Sequence, residues 1–234
     1  MSATKTDAIE AVAVEPSRGD TFSSAQRLKY ILILGALSAL GPFTIDLYLP
    51  AFPTVAAELH ASDAAIQITL TATLIGFALG QLIVGPLADA FGRRKPLLIA
   101  TGVHVLASFA VAFAPTVELV TVGRVFQGIG AAGSGVVAMA IVRDLFSGQR
   151  LIRMLSRLAL VWGLAPVLAP VIGSQLLRVI DWRGVFVVLA GYGLVMVIVS
   201  AFFMIETLPP TAGGSSLAAR LPDATVTLRA TAPL

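Results

Sequence analysis

Five ionisable side chains stand inside or beside apolar segments of this chain: Asp46, Asp89, Arg93, Arg124 and Asp144. Asp46 lies between Pro42-Phe43-Thr44-Ile45 and Leu47-Tyr48-Leu49-Pro50. A carboxylate held in such a stretch can load and release a proton or hold a cationic solute; wetted at the end of the stretch, it would be an ordinary acid. Arg124 sits within an apolar segment, followed at helical spacing by Gln127, Gly128, Ala131 and Gly135. A guanidinium at the centre of a bilayer costs roughly 2.5–3.5 kcal/mol on insertion scales, so it needs acceptors or a function. Snorkelling to the interface is the alternative. Asp89 and Arg93 are four residues apart around Gly92, and Asp144 closes another apolar segment beside Arg143. Arg93 can therefore bridge Asp89 and Asp144, as a charge network that breaks when a gate opens. The same cations, with Arg94 and Lys95, could instead only anchor a turn.

The elements that position these groups follow from hydropathy. Hydrophobic residues make up 57% of the chain and charged residues 12%, against about 25% charged in ordinary soluble domains. Segments near 28–50, 66–90, 97–114, 119–142, 156–178 and 184–205 each approach the roughly 20 apolar residues of a spanning helix. Continuous apolar runs without alternation favour helices over a barrel. The expected fold is an all-α membrane protein with six transmembrane helices over residues 28–208, after a disordered tail at 1–27 and before a disordered or aberrant tail at 209–234. Arg27 and Lys29, Arg93 to Lys95, and Arg143 to Arg157 fall on one side of such a bundle, while Glu58, Asp63 and Glu118 fall on the other. The positive-inside rule puts both termini in the cytoplasm.

Small residues and prolines mark the helix contacts. Gly80 and Gly85 precede the Asp89 turn, and Gly128 follows Arg124. Pro166, Pro170 and Gly173 punctuate the fifth segment. Proline kinks a membrane helix and glycine lets backbones approach. The chain has no cysteine, which excludes a thiolate metal site, and no cofactor is expected. The net charge of +3 reads as topology rather than nucleic-acid binding. Ser134-Gly135 lacks the preceding glycine and the later histidine that an intramembrane serine protease requires. His104, Thr69, Thr71 and Thr73 read as packed or helix-bonded groups.

The run Gly85-Pro86-Leu87-Ala88-Asp89-Ala90-Phe91-Gly92-Arg93-Arg94 closely resembles the loop between helices 2 and 3 of major facilitator superfamily transporters, with Ala90 replacing a usual cation. Arg124-x-x-Gln127-Gly128-x-Gly130-Ala131-Ala132 resembles the helix 4 motif of drug:proton antiporters. Pro42-Phe43-x-x-Asp46-x-Tyr48-Leu49-Pro50 resembles helix 1 of the bicyclomycin/chloramphenicol-resistance (Bcr/CflA) branch, and the span 5 prolines loosely match the antiporter motif of helix 5. The resemblance implies the N-terminal six-helix half, a 3+3 inverted repeat, of a proton-coupled exporter of small amphipathic drugs in a bacterial inner membrane. It implies proton or substrate coupling at Asp46, Arg124 and Gln127, and a gate at Asp89, Arg93, Arg94 and Asp144. The expected partners are a small-molecule substrate, protons and the lipid bilayer, with a second copy or a missing C-terminal half completing the pathway. A truncated product is the expectation for the chain's end. A non-transporting partner of a full transporter, or an exporter of dipeptides or sugars, stays open.

Overall fold

Local chemistry starts most of the helices. In the computed structural model, which describes residues 18–207, α1 (Ser24–Asp46) opens on a capping box: Ser23 accepts from the Gln26 amide while Gln26 accepts from the Ser23 amide. Ser62, Thr116 and Asp181 cap α3 (Asp63–Phe91), α5 (Val117–Leu145) and α7 (Trp182–Phe203) by accepting from the third amide onward. α4 (Arg94–Ala112) and α6 (Gly148–Leu176) complete six helices long and apolar enough to cross a membrane. At 29 residues each, α3, α5 and α6 reach about 43 Å, beyond a hydrocarbon core of about 30 Å.

Three boundaries differ from the hydropathy reading. Helix α1 begins at Ser24, inside the expected tail, because of its cap. Pro50 and Pro53 do not simply end the first span; they lie in a 3-10 turn (Leu49–Ala51) and at the start of the short α2 (Phe52–Glu58). Helix α6 starts at Gly148, eight residues before the apolar run, since its first turns carry Gln149, Arg150 and Arg153. Of the tails expected at 1–27 and 209–234, residues 1–17 and 209–234 lie outside the described residues.

Helix α5 is central, packed on α3 and α4 and touching α1. A spanning-length apolar window of α5 is 67% buried, whereas that of α6 is only 17% buried, so α6 has one packed face and a broad exposed one. The α3–α5 crossing is made by glycines. A side chain on Gly80 would meet the Ile129 carbonyl at 2.5 Å, and one on Gly128 would collide with the Thr73 carbonyl. Such contacts bring backbones together where no hydrophobic effect drives helices to associate.

The core divides into two apolar clusters. One surrounds Leu34, Leu37, Val137, Ile141 and Leu145; the other surrounds Tyr48, Ile66, Val120, Trp182 and Phe186. On α1, α4 and α5 alike, a buried polar layer separates them: Thr44, then His104 and Ser108, then Arg124 and Gln127.

Candidate functional site

The polar layer is built around Arg124. Its residue is 0% exposed, so the guanidinium does not snorkel. Nη1 donates to the Thr44 carbonyl of α1 at 2.8 Å and to Gln127 Oε1 at 2.8 Å. The amide of Gln127 donates to Ser108 Oγ at 2.7 Å, and Ser108 donates to the His104 carbonyl at 2.7 Å. The Thr44 hydroxyl donates to the Leu40 carbonyl at 2.6 Å and lies 2.9 Å from His104 Nε2. The guanidinium stands 4.9 Å from the Tyr48 ring centre and 5.6 Å from that of Phe186, close enough for cation–π attraction. Its Nε and Nη2 are buried without a hydrogen-bond acceptor. One cation thus joins α5 to the backbone of α1, and the layer extends into α4.

Asp46 is the last residue of α1 and is half-buried. It lies two residues after the carbonyl that Arg124 holds, but no ion pair joins Asp46 to Arg124 among the described residues. Gly173 of α6 packs against the neighbouring Leu47 carbonyl with no room for a side chain. Pro166 and Pro170 lie within α6, which continues unbroken past both. Gly85 is different: a side chain there would meet Val136 at an ordinary 3.7 Å, so packing does not demand glycine.

At the basic end, Arg93 lies between Asp89 and Asp144. Its Nε donates to Asp144 Oδ2 at 2.8 Å and Nη2 reaches Oδ1 at 3.4 Å, while Nη1 pairs with Asp89. Burial opposes the charge on Arg93, but hydrogen bonds and attraction from Asp144 and then Asp89 outweigh it, holding the guanidinium's pKa above its ordinary value. Gly92 has φ +88°, a conformation that suits glycine. Arg94 pairs with neither Asp89 nor Asp144; its Nη2 donates to the Ala201 carbonyl near the end of α7 at 2.6 Å. A cavity of about 580 Å³ opens beside the network between α3, α5 and α6, with Asp89, Arg93, Arg143 and Asp144 on its wall.

Sequence reasoning missed Glu206 and Thr207, which close the network at the basic end. Glu206, just beyond α7, accepts from the Arg93 and Arg94 amides at 2.8 and 3.2 Å, and the Thr207 hydroxyl donates to Asp144 at 2.9 Å. A carboxylate on the first amides of α4 suits the positive end of its macrodipole. At the other end of α4, Arg183 donates to the Ala112 and Ala114 carbonyls at 3.3 and 2.9 Å and pairs with Glu58 at 2.8 Å. The fully buried Trp182 adds a 2.7 Å bond from its indole to Glu58. Helix parity was the available signal: an acid leaving the sixth span emerges on the side where the third begins. Ser134, weighed as a nucleophile, donates to the Gly130 carbonyl and lies 2.9 Å from Thr101 Oγ1. The three threonines of α3 each bond their own helix.

The profile of the Major Facilitator Superfamily matches residues 31–231. An MFS-type transporter of Bacillus subtilis, YdgK, is 42% identical over 186 residues, covering 79% of this chain and 46% of that protein. A bicyclomycin resistance protein homolog of Haemophilus influenzae is 38% identical over 178 residues, covering 76% of this chain and 45% of its own length. The proton:xylose symporter XylE shares the fold, with a TM-score of 0.69 at 16% identity over 80% of this chain and 46% of that one. The chain spans about half the length of the relatives it matches. With six spanning helices in this arrangement and a profile match over most of its length, the chain belongs to the Major Facilitator Superfamily.

Proposed function

We propose that this chain forms one bundle of a proton-driven exporter of small amphipathic compounds in a bacterial inner membrane, with both termini in the cytoplasm. The observation that carries the reading is the bond from the fully buried Arg124 to the Thr44 carbonyl, two residues before Asp46. A buried ion that holds the backbone beside a half-buried acid makes the end of α1 responsive to that acid's proton. In this reading Asp46 carries the proton or a cationic substrate. Arg124 and Gln127 transmit its state from α1 to α5, and the Arg93 bridge to Asp144 and Asp89 holds one access state closed. The cavity beside that bridge supplies part of the wall of the pathway. A second bundle, from another copy of the chain or from further polypeptide, supplies the opposite wall.

The resistance named for one relative supports an amphipathic drug as cargo, and the superfamily favours transport over enzymatic chemistry. The test is efflux of an amphipathic fluorescent cation from cells expressing the chain. Asp46→Asn and Arg124→Lys each abolish proton-dependent efflux while the protein still reaches the membrane. Efflux that is unchanged in both variants, with its normal pH dependence, overturns the assignment.

A further inference from the structure

His104 is buried in the polar layer, yet the transport reading gives it no part. The position of its proton follows from its neighbours. A threonine hydroxyl has one proton, and that of Thr44 is committed to the Leu40 carbonyl at 2.6 Å. Thr44 Oγ1 can therefore only accept from His104 Nε2, 2.9 Å away, so Nε2 carries the imidazole proton. Nδ1 is buried with no hydrogen-bond partner among the described residues. A second proton there would be a buried donor without an acceptor, in a layer that already holds a guanidinium. The side chain is also tightly enclosed. A Cβ on Gly193 of α7 would stand 2.9 Å from Nδ1, and one on Gly130 of α5 would stand 2.5 Å from the His104 amide nitrogen. Helix α7 thus packs against the ring and α5 against the backbone of His104.

Thr44 is held at two atoms, its hydroxyl by His104 of α4 and its carbonyl by Arg124 of α5. Packing accounts for a side chain of this size here, since an apolar residue of similar volume would fill the same space. It does not account for an imidazole whose one proton meets the residue that Arg124 holds. We propose that His104 is a positioning residue: as the neutral Nε2–H tautomer it fixes Thr44 so that the Thr44 carbonyl meets Arg124. Its bearing on proton coupling at the end of α1 rests on the transport reading above.

Nitrogen NMR of the full-length chain with labelled histidine reads the tautomer directly. The sequence has two histidines, His60 and His104, and His104→Gln assigns their signals by removing one. The wild-type protein at neutral pH shows His104 with a bare Nδ1 and a protonated Nε2. Thr44-Ile45 is the only Thr-Ile pair in the chain, so carbonyl-labelled threonine with amide-labelled isoleucine isolates the carbonyl that Arg124 holds. Arg124→Gln marks where that signal lies without the guanidinium. His104→Leu moves the wild-type signal most of the way there, whereas His104→Gln, whose amide can donate from the place of Nε2, leaves it near wild type. Loss of one buried hydrogen bond corresponds to about fivefold, and His104→Leu slows proton-dependent efflux by that factor while His104→Gln does not. An Nδ1–H or doubly protonated ring overturns the proposal, as does an unmoved Thr44 signal or unslowed efflux in His104→Leu. The wild-type tautomer decides even if the leucine variant fails to fold. Efflux indifferent to Asp46→Asn overturns the transport reading instead and leaves the NMR signals as expected.

Discussion

Neutralising Asp144 costs far more stability than neutralising Asp89, although both carboxylates pair with the same arginine. The Arg93 side chain is 9% exposed, that of Asp144 18% and that of Asp89 71%. Breaking a fully buried ion pair from one side costs about 3–5 kcal/mol. Asp144 keeps some contact with solvent and Arg93 keeps Asp89, so Asp144→Asn falls to about 2–3 kcal/mol. The Asp89 pair is a solvent-exposed i,i+4 bridge, worth about 0.3–0.5 kcal/mol. For a chain of this size these become losses of about 5–10 °C and about 1–2 °C in melting temperature. Thermal unfolding in one detergent at fixed salt, followed by intrinsic tryptophan fluorescence, measures both. Raising the salt concentration should shrink the Asp89 effect and spare the Asp144 effect. If the two variants lose the same stability, burial does not set the strength of this network and the reasoning is wrong. Under the gating proposal, Asp89→Asn also stops transport while leaving the melting temperature nearly unchanged.

Glycine substitutions separate crossings from open faces. Gly80→Leu drives a side chain into the Ile129 carbonyl and costs about 1–3 kcal/mol, whereas Gly163→Ala meets nothing within 4 Å and gains up to about 1 kcal/mol of helix propensity; thermal melting compares them. Glu206→Ala removes the acceptor of two α4 amides at about 1 kcal/mol, and amide exchange at Arg93 and Arg94 should quicken about fivefold, with no change at Thr101 in the interior of α4. Gln127→Leu removes one buried acceptor from Arg124, leaving it the Thr44 carbonyl, and the donor to Ser108 Oγ. It should cost about 1–3 kcal/mol in the same melting assay.

The spanning helices were legible because lipid imposes an apolar length that no soluble domain imposes. Their ends were less so. The first turns of α6 carry arginines that no apolar criterion registers, and α2 hides behind two prolines that read as terminators. Within the sites, the Asp89–Arg93 pair is local, four residues apart, and could be read directly. The link from Arg93 to Asp144 could be inferred because both acids end spans on the same side. His104 read as a solitary packed residue because its partner Thr44 is 60 positions away on another helix. Glu206 escaped notice because only the packing of α7 on α4 returns it to the Gly92 turn. Hydropathy also could not choose between a snorkelling and a buried Arg124; the Thr44 carbonyl and Gln127 decide that.

Proton coupling through the end of α1 is tested most directly by reconstituting the chain in liposomes carrying an internal pH indicator and a fluorescent amphipathic cation. With an imposed pH gradient, the account predicts that cation movement and proton movement occur together. Both should vanish in Asp46→Asn, with the melting temperature unchanged. Cation flux that continues in Asp46→Asn, or proton movement that continues without the cation in the wild type, would contradict it.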